Sequence, residues 1–167
     1  AHAASITVNT TTDELNADGD CSLREAIRAA NADAAVDACT AGSGADTITV
    51  PVGTYTLTIA NPGGVGEDLA ATGDLDLTSN ITINGAGTGS TIIEGGTSLA
   101  TSVDRVFHVT RAFTVNISGV TVRNGNTGAG GGIFNDGTLT VTNSTLSGNS
   151  ATNGGGIYND DGTTLTI

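Results

Sequence analysis

Acidic side chains between residues 14 and 25 have the spacing of a calcium-binding loop. Glu14, Asn16, Asp18 and Asp20 alternate along the chain, and Glu25 stands where calcium loops place a bidentate carboxylate. Carboxylate and amide oxygens are the ligands that Ca²⁺ takes in proteins, so the sequence offers one calcium site. Two features favour instead an Asp/Asn turn that leads into a helix. The first position carries Glu where Asp is usual, and Glu25 also fits a helix-capping position.

Cys21 and Cys39 are the two cysteines of the chain. Neither belongs to a CxxC pair or has a histidine neighbour, which argues against a zinc site. A disulfide formed in an oxidising compartment explains them, and two buried free thiols are the alternative. The first residues, Ala1-His2-Ala3, fit the small-x-small pattern beside a signal-peptidase cut, although they also fit a start point of no biological meaning. Together these features predict a secreted protein, located outside the cell or on its surface.

Phe134 and Tyr158 occupy equivalent positions in two copies of a repeated segment, GGGI(F/Y)N. Because side chains alternate along a strand, each ring points away from the side of the preceding isoleucine. This favours an outward aromatic stripe that could stack on sugars, whereas inward rings would be core residues. Asn135 and Asn159 would then share the interior with the isoleucines and form a ladder of hydrogen-bonded amides.

A catalytic site needs carboxylates, or a carboxylate with a basic residue, on one face of the protein. Asp74 and Asp76 could pair on one face of a strand. The other charged candidates are interpreted as turn residues, namely Asp136, Asp160 and Asp161, or as scattered residues, namely Arg105, His108, Arg111 and Arg123. No Ser-His-Asp or metal–histidine pattern stands out. The sequence therefore predicts a protein that is not an enzyme and has no cofactor beyond the calcium considered above.

The charge of the chain excludes several classes of partner. The 167 residues carry 5 basic and 17 acidic side chains, which gives a formal net charge of −12. A chain this acidic lacks the positive surface that nucleic acids require, and anionic membrane surfaces repel it. It also lacks an apolar run long enough to span a bilayer, so we expect no membrane insertion.

The pattern of the chain predicts one helix and many short strands. Residues 22–31 are expected to be helical, because their apolar side chains fall on one face and Ser22 with Glu25 forms a capping box. Residues 61–72, rich in glycine, are expected to form a projecting loop. The remaining chain alternates in short Thr-, Val- and Ile-rich strands. Short repeats of this kind bury their apolar face only when stacked, which predicts an all-β fold, a parallel β-helix.

We expect a single domain over residues 1–167, with a cap region at 1–45 and the β-helix coils at 46–167. Outward Thr-x-Thr pairs recur along these coils: Thr47/Thr49, Thr56/Thr58, Thr138/Thr140 and Thr164/Thr166. A flat array of such pairs would suit an ice-binding surface. The simpler explanation is that threonine forms strands well on any solvated face.

The segment Cys21–Ala26 reads CSLREA, and the chain resembles the CSLREA-domain family of exported bacterial proteins. Its GGGI(F/Y)N repeats are similar to those of chlamydial polymorphic outer-membrane proteins. The resemblance continues through DTI at 46–48, GTY at 53–55, ITINGAG at 81–87 and DRVF at 104–107. It implies a right-handed parallel β-helix with an N-terminal capping helix, on a secreted or cell-surface protein without established catalytic residues. Family members usually continue with many more repeats and an anchor.

The two ends of the predicted β-helix suggest self-assembly. The strand of Ser5, Ile6, Thr7 and Val8 could pair with a strand of a second copy that contains Leu165, Thr166 and Ile167. We therefore expect a non-catalytic structural or adhesive protein, either a piece of a longer chain or a filament subunit that assembles head to tail. Its partners would be copies of itself or cell-surface and carbohydrate ligands. The alternative function is a carbohydrate-binding or carbohydrate-cleaving β-helix.

Overall fold

The structure is a computed structural model that describes residues 2–62 and 66–167. Within these residues the chain forms one helix, α1 (Leu23–Ala32), and sixteen short strands. The strands are β1 (Ser5–Thr7), β2 (Asp46–Val50), β3 (Gly53–Thr56), β4 (Leu75–Leu77), β5 (Ile81–Gly85), β6 (Thr91–Glu94), β7 (Phe107–Val109), β8 (Thr114–Ser118), β9 (Thr121–Arg123), β10 (Asn126–Ala129), β11 (Ile133–Asn135), β12 (Thr138–Thr142), β13 (Thr145–Ser147), β14 (Ser150–Asn153), β15 (Ile157–Asn159) and β16 (Thr164–Thr166).

The strands form four sheets, and the paired strands within them are parallel. The first sheet has the order β1-β2-β5-β8-β12-β16, the second β3-β6-β9-β13, the third β4-β7-β11-β15, and the fourth contains β10 and β14. From β2 onward the chain visits the first, second and third sheets in a fixed order, and it adds the fourth sheet from β10. The predicted all-β fold with one short helix is therefore confirmed at this level.

Strands in register stack like residues into columns, and the largest apolar column lies in the first sheet. Ile6, Ile48, Ile83, Ile117 and Val141 are consecutive partners across five strands. All five side chains are buried. The apolar residues that alternate along each short strand thus form a continuous core only because the strands are stacked.

Helix α1 packs against β4, β2 and β1. Its predicted capping box is confirmed, because the Ser22 side chain accepts the Glu25 N–H and the Glu25 side chain accepts the Ser22 N–H. The helix ends at Ala32, one residue beyond the expected end, and Asp33 takes the left-handed conformation that closes it. Asn31 is therefore inside the helix, and its side chain binds the backbone of Asp76 and Thr78.

The glycine-rich segment expected at 61–72 lies partly outside the described residues, at 63–65. Its described part, residues 66–72, contains neither helix nor strand. Among the described residues, no helix has the length and the apolar character needed to cross a bilayer.

Candidate functional site

One column of the third sheet carries polar and aromatic side chains instead of aliphatic ones. In the register of β4, β7, β11 and β15, Asp76 pairs with His108, His108 with Phe134, and Phe134 with Tyr158. The residues that alternate with them, such as Leu75 and Phe107, point into the core. The column therefore lies on the outer face of this sheet.

A loop covers the first member of this column. The Glu67 carboxylate accepts hydrogen bonds from the backbone N–H groups of Leu69, Ala71 and Thr72 at 2.7–2.9 Å. These hydrogen bonds hold the backbone of the loop in a turn around the carboxylate. Ala70 N–H donates to Asp76 Oδ2 at 2.9 Å, and the Asp76 side chain is fully buried as a result. A carboxylate on an outward strand position is thereby removed from bulk water.

Beside this loop lies a cavity of about 220 Å³. Its lining consists of Asn61, Gly66, Glu67, Asp68, Asp74, Asp104, Arg105, His108 and Thr127. Four of these residues carry carboxylates, and Asp76, next to His108, adds a fifth. The basic groups are one guanidinium, that of Arg105, and one imidazole, that of His108. The cavity is therefore strongly acidic, and anionic ligands are disfavoured in it.

Arg105 connects two of the carboxylates. Its Nε lies 3.0 Å from Asp74 Oδ2 and 3.7 Å from Asp104 Oδ1. The short contact is an ion pair and not an aligned hydrogen bond, since the buried Nε has no hydrogen-bond partner within the described part of the chain. Burial, followed by the charges of Asp76 and Asp104, raises the pKa of Asp74 to about 7, although Arg105 opposes this shift.

His108 stands between a buried and an exposed carboxylate. Its Nδ1 lies 3.1 Å from Asp76 Oδ1 and 3.5 Å from Asp68 Oδ1. Burial lowers the pKa of His108, but the hydrogen bond and the charge of Asp76 outweigh burial and raise it above its ordinary value. Burial also raises the pKa of Asp76, against the opposing hydrogen bonds from His108 and Ala70. The group can therefore hold or release a proton near neutral pH.

The aromatic rings continue the column away from the cavity. Phe134 stacks on Tyr158 with ring centroids 5.2 Å apart and planes 24° apart. His108 meets the Phe134 ring edge-on at 5.3 Å, and the Arg105 guanidinium lies over the same ring at 5.1 Å. Protein groups thus occupy much of the surface of Phe134. Tyr158, half-buried at the end of the column, is the better placed ring for a ligand.

The expectation that the basic residues are scattered is wrong for two of them. Arg105 and His108 lie in one cluster with Asp74 and Asp76 because parallel register places β7 directly beside β4. A signal was present in the sequence, since the Leu-Asp-Leu of β4 aligns with the Phe-His-Val of β7. The other two arginines stand apart from this cavity, Arg111 paired with Asp136 and Arg123 paired with Glu94.

The acidic residues considered for calcium do converge. Potential ligand oxygens of Glu14, Asp18 and Asp20 lie within 4.8 Å of one another, and Asp20 groups in the same way with Glu25 and Asp37. Burial and the mutual charge of these carboxylates raise the pKa values of Glu14 and Asp20. Asp20 Oδ1 is buried without a hydrogen-bond partner among the described residues. Asp37 was missed because it lies beyond the helix in sequence.

Two other members of the expected calcium loop are engaged elsewhere. The Asn16 side-chain N–H donates to Glu14 Oε2 at 2.8 Å, so the amide group of Asn16 presents its nitrogen and not a ligand oxygen to that carboxylate. Both oxygens of Glu25 accept backbone N–H groups, those of Asn16 and Ser22. Calcium binding at this cluster stays a prediction.

The predicted disulfide is present. Cys21 and Cys39 are bridged, their Cα atoms are 4.9 Å apart, and both residues are buried. The bridge closes the segment that contains α1 and holds Asp37 near the acidic cluster.

The residues expected to mediate self-assembly lie at opposite edges of the first sheet. Strand β1 contains Ser5 and Thr7, which are exposed, and Ile6, which is buried with the neighbouring Val8. Strand β16 lies at the other edge, with Leu165 half-buried and Thr166 exposed. Ile167 follows it and is exposed.

Comparisons of the chain with models of protein families, with curated proteins and with solved structures found no match.

Proposed function

We propose that this chain is an extracellular adhesive module with a right-handed parallel β-helix fold, and that it binds a neutral saccharide at the third sheet. The fixed order in which the chain visits parallel sheets supports the β-helix. The CSLREA motif supports membership of the corresponding family. The buried disulfide supports an oxidising location outside the cytoplasm.

The observation that carries the saccharide proposal is an acidic cavity that adjoins a stacked aromatic column. Carboxylates accept hydrogen bonds from sugar hydroxyls, Arg105 donates to ring or hydroxyl oxygens, and an aromatic face packs against the C–H groups of a sugar ring. His108 and Tyr158 are two strands apart, which is about 10 Å. That span suits two linked sugar units, one in the cavity and one against Tyr158.

The charge of the cavity specifies the class of saccharide. Glu67, Asp68 and Asp104 line it together with Asp74, and a single guanidinium opposes them. A polyuronate or a sulfated glycan would place further negative charge beside these carboxylates. Neutral hexose or pentose polymers carry no such penalty. A bound neutral polymer, together with a stacked fold, suits adhesion to a coated surface and requires no bond cleavage.

The binding test uses the purified chain on an array of neutral and anionic oligosaccharides, followed by calorimetry on the best neutral one. We expect neutral oligosaccharides to bind and polyuronates not to bind. Tyr158→Ala should weaken binding about fivefold to tenfold, the equivalent of one lost aromatic contact. Arg111→Gln is the matched control, because its exposed ion pair with Asp136 lies outside the cavity. Binding that is confined to anionic glycans, or unchanged in Tyr158→Ala, would refute the proposal.

The head-to-tail filament stays a prediction of its own. Its supporting observation is that β1 and β16 lie at opposite edges of the same parallel sheet, which is the arrangement that addition of a strand from a second copy requires. Negative-stain electron microscopy across rising protein concentration tests it. Fibres of constant width support the filament, and dispersed particles at every concentration contradict it.

A further inference from the structure

We propose that Asp68, Asp76 and His108 form a binding site for a divalent first-row transition metal ion. The two aspartates offer one oxygen each and His108 offers Nδ1, and these three atoms lie within 4.8 Å of one another. Metal binding does not require a saccharide, because the ion needs only groups of the protein, although Asp68 and His108 also line the cavity proposed for the sugar.

The separations between the three atoms fit a shared ion. Nδ1 of His108 is 3.1 Å from Asp76 Oδ1 and 3.5 Å from Asp68 Oδ1. Ligands that each lie about 2.1 Å from one ion are separated by roughly 3.0 Å in octahedral and 3.4 Å in tetrahedral geometry. An ion can therefore enter with small side-chain adjustments and without movement of the strands.

Two of the three ligands are held in place before any ion arrives. Asp76 is fully buried, and its second oxygen accepts the Ala70 N–H at 2.9 Å, which leaves Oδ1 directed at His108. The His108 ring packs edge-on against Phe134. Contacts of this kind around the ligands orient them and raise the affinity for an ion.

Asp68, the third ligand, lies where an ion can reach the site from solvent. Asp68 has 68% of its side chain exposed, and the loop that carries it is fixed by the Glu67 carboxylate. An ion can enter from the solvent side, exchange water for Asp68, and reach the buried Asp76. Asp68 and His108 both line the cavity, so water there could complete the coordination of the ion.

The surrounding charge favours a cation even though Arg105 is close. The Arg105 guanidinium already faces two other acidic side chains, Asp74 at 3.0 Å and Asp104 at 3.7 Å. The charges of Asp68, Asp76 and Glu67 then remain for an ion. A nitrogen ligand with two carboxylates suits Zn²⁺ or Mn²⁺ better than Ca²⁺ or Mg²⁺, which take oxygen ligands.

The test measures Zn²⁺ and Mn²⁺ binding to the full chain by calorimetry, after removal of metal with EDTA and without any saccharide. A His2→Gln background removes the exposed histidine near the N-terminus. We expect one site with a Kd in the micromolar range for Zn²⁺, and Ca²⁺ should bind it at least tenfold more weakly. His108→Gln should weaken Zn²⁺ binding at least a hundredfold, and Asp68→Asn about tenfold. Electron paramagnetic resonance of Mn²⁺ gives an independent count of bound ions.

Asp20→Asn is the matched control, because it changes the separate acidic cluster at Glu14 and Asp18. We expect it to leave the Zn²⁺ affinity unchanged. Asp68 is exposed, and glutamine at position 108 keeps a hydrogen-bond donor for the buried Asp76, so both variants should keep the parent circular dichroism spectrum. Absence of Zn²⁺ binding at 100 µM, or equal binding by His108→Gln, would overturn the metal site. Neither result would bear on saccharide binding, provided that the saccharide test is run in EDTA.

Discussion

Arg24 is buried at the centre of the N-terminal cap, and its removal should destabilise the fold strongly. Its Nε and Nη2 contact both oxygens of Asp13, at 2.6 and 3.1 Å. Its Nη1 donates to the carbonyls of Ala70 and Asp74, both at 3.2 Å, and Nη2 also donates to Gly73 O at 2.8 Å. The five N–H groups of the guanidinium therefore all have acceptors.

The size of the effect follows from what Arg24→Met would leave behind. The Asp13 carboxylate has 4% of its side chain exposed and would lose its only cationic partner among the described residues. Three backbone carbonyls would lose a donor as well, in the segment that leads to β4. Breaking a buried ion pair by removing one partner costs about 3–5 kcal/mol, and we expect Arg24→Met to lie in this range. Arg24→Lys keeps the charge but not the forked geometry, so its free energy of unfolding should lie between those of the parent protein and Arg24→Met.

Urea unfolding followed by far-ultraviolet circular dichroism measures this free energy. Arg28→Met is the matched control, because Arg28 is half-buried on the same helix one turn later, and we expect a change below about 1 kcal/mol. The double variant Arg24→Met/Asp13→Leu should recover part of the loss, since it leaves no unpaired buried charge. If Arg24→Met is within 1 kcal/mol of the parent protein, the reasoning about this buried pair is refuted.

Three further predictions concern stability. Replacing both Cys21 and Cys39 by alanine should lower the free energy of unfolding by about 3 kcal/mol, because the bridge closes an 18-residue segment. The bridge itself would be contradicted if mass spectrometry found two alkylatable thiols in the native protein. In EDTA, the free energy of unfolding should fall as pH rises from about 4 to 7, by at most about 4 kcal/mol. The reason is that the folded state keeps the Asp74 proton up to a pKa of about 7, whereas the unfolded state releases it near pH 3.8. Asp74→Asn should flatten this profile, and an unchanged slope would contradict the assignment. Gly125→Ala should lower the free energy of unfolding by about 3 kcal/mol, since a Cβ there collides with a backbone carbonyl. Gly128→Ala, where a Cβ meets open space, should change the free energy of unfolding in urea by less than about 1 kcal/mol. Equal stability of the two variants would show that the collision is relieved.

Local sequence signals predicted much of the N-terminal cap. The Ser22 and Glu25 spacing predicted the capping box, since both partners lie within one helical turn and no distant group is needed to form it. The presence of just two cysteines reduced the disulfide to one pairing. The repeated strands predicted parallel stacking, because similar short repeats bury a continuous apolar core when each stacks on the next.

The environment of Arg24 shows where such reasoning ends. Arg24 lies beside the capping box in sequence, but its partners Asp13 and Gly73 are 11 and 49 residues away. Which distant carbonyls converge on a side chain depends on how loops cross the cap. No local pattern carries that information.

The sequence by itself predicted the helix, its capping box and the strand character of most of the chain, because capping, helical spacing and strand alternation are local and act over a few residues. Only the tertiary structure decided that Asp76, His108, Phe134 and Tyr158 form one column, because that depends on the register between strands. Only the covering loop decided that Asp76 is buried and that an acidic cavity forms beside it. The column is a property of the stacked strands, since its consecutive members lie at least 24 residues apart in sequence and meet only when the backbone pairs.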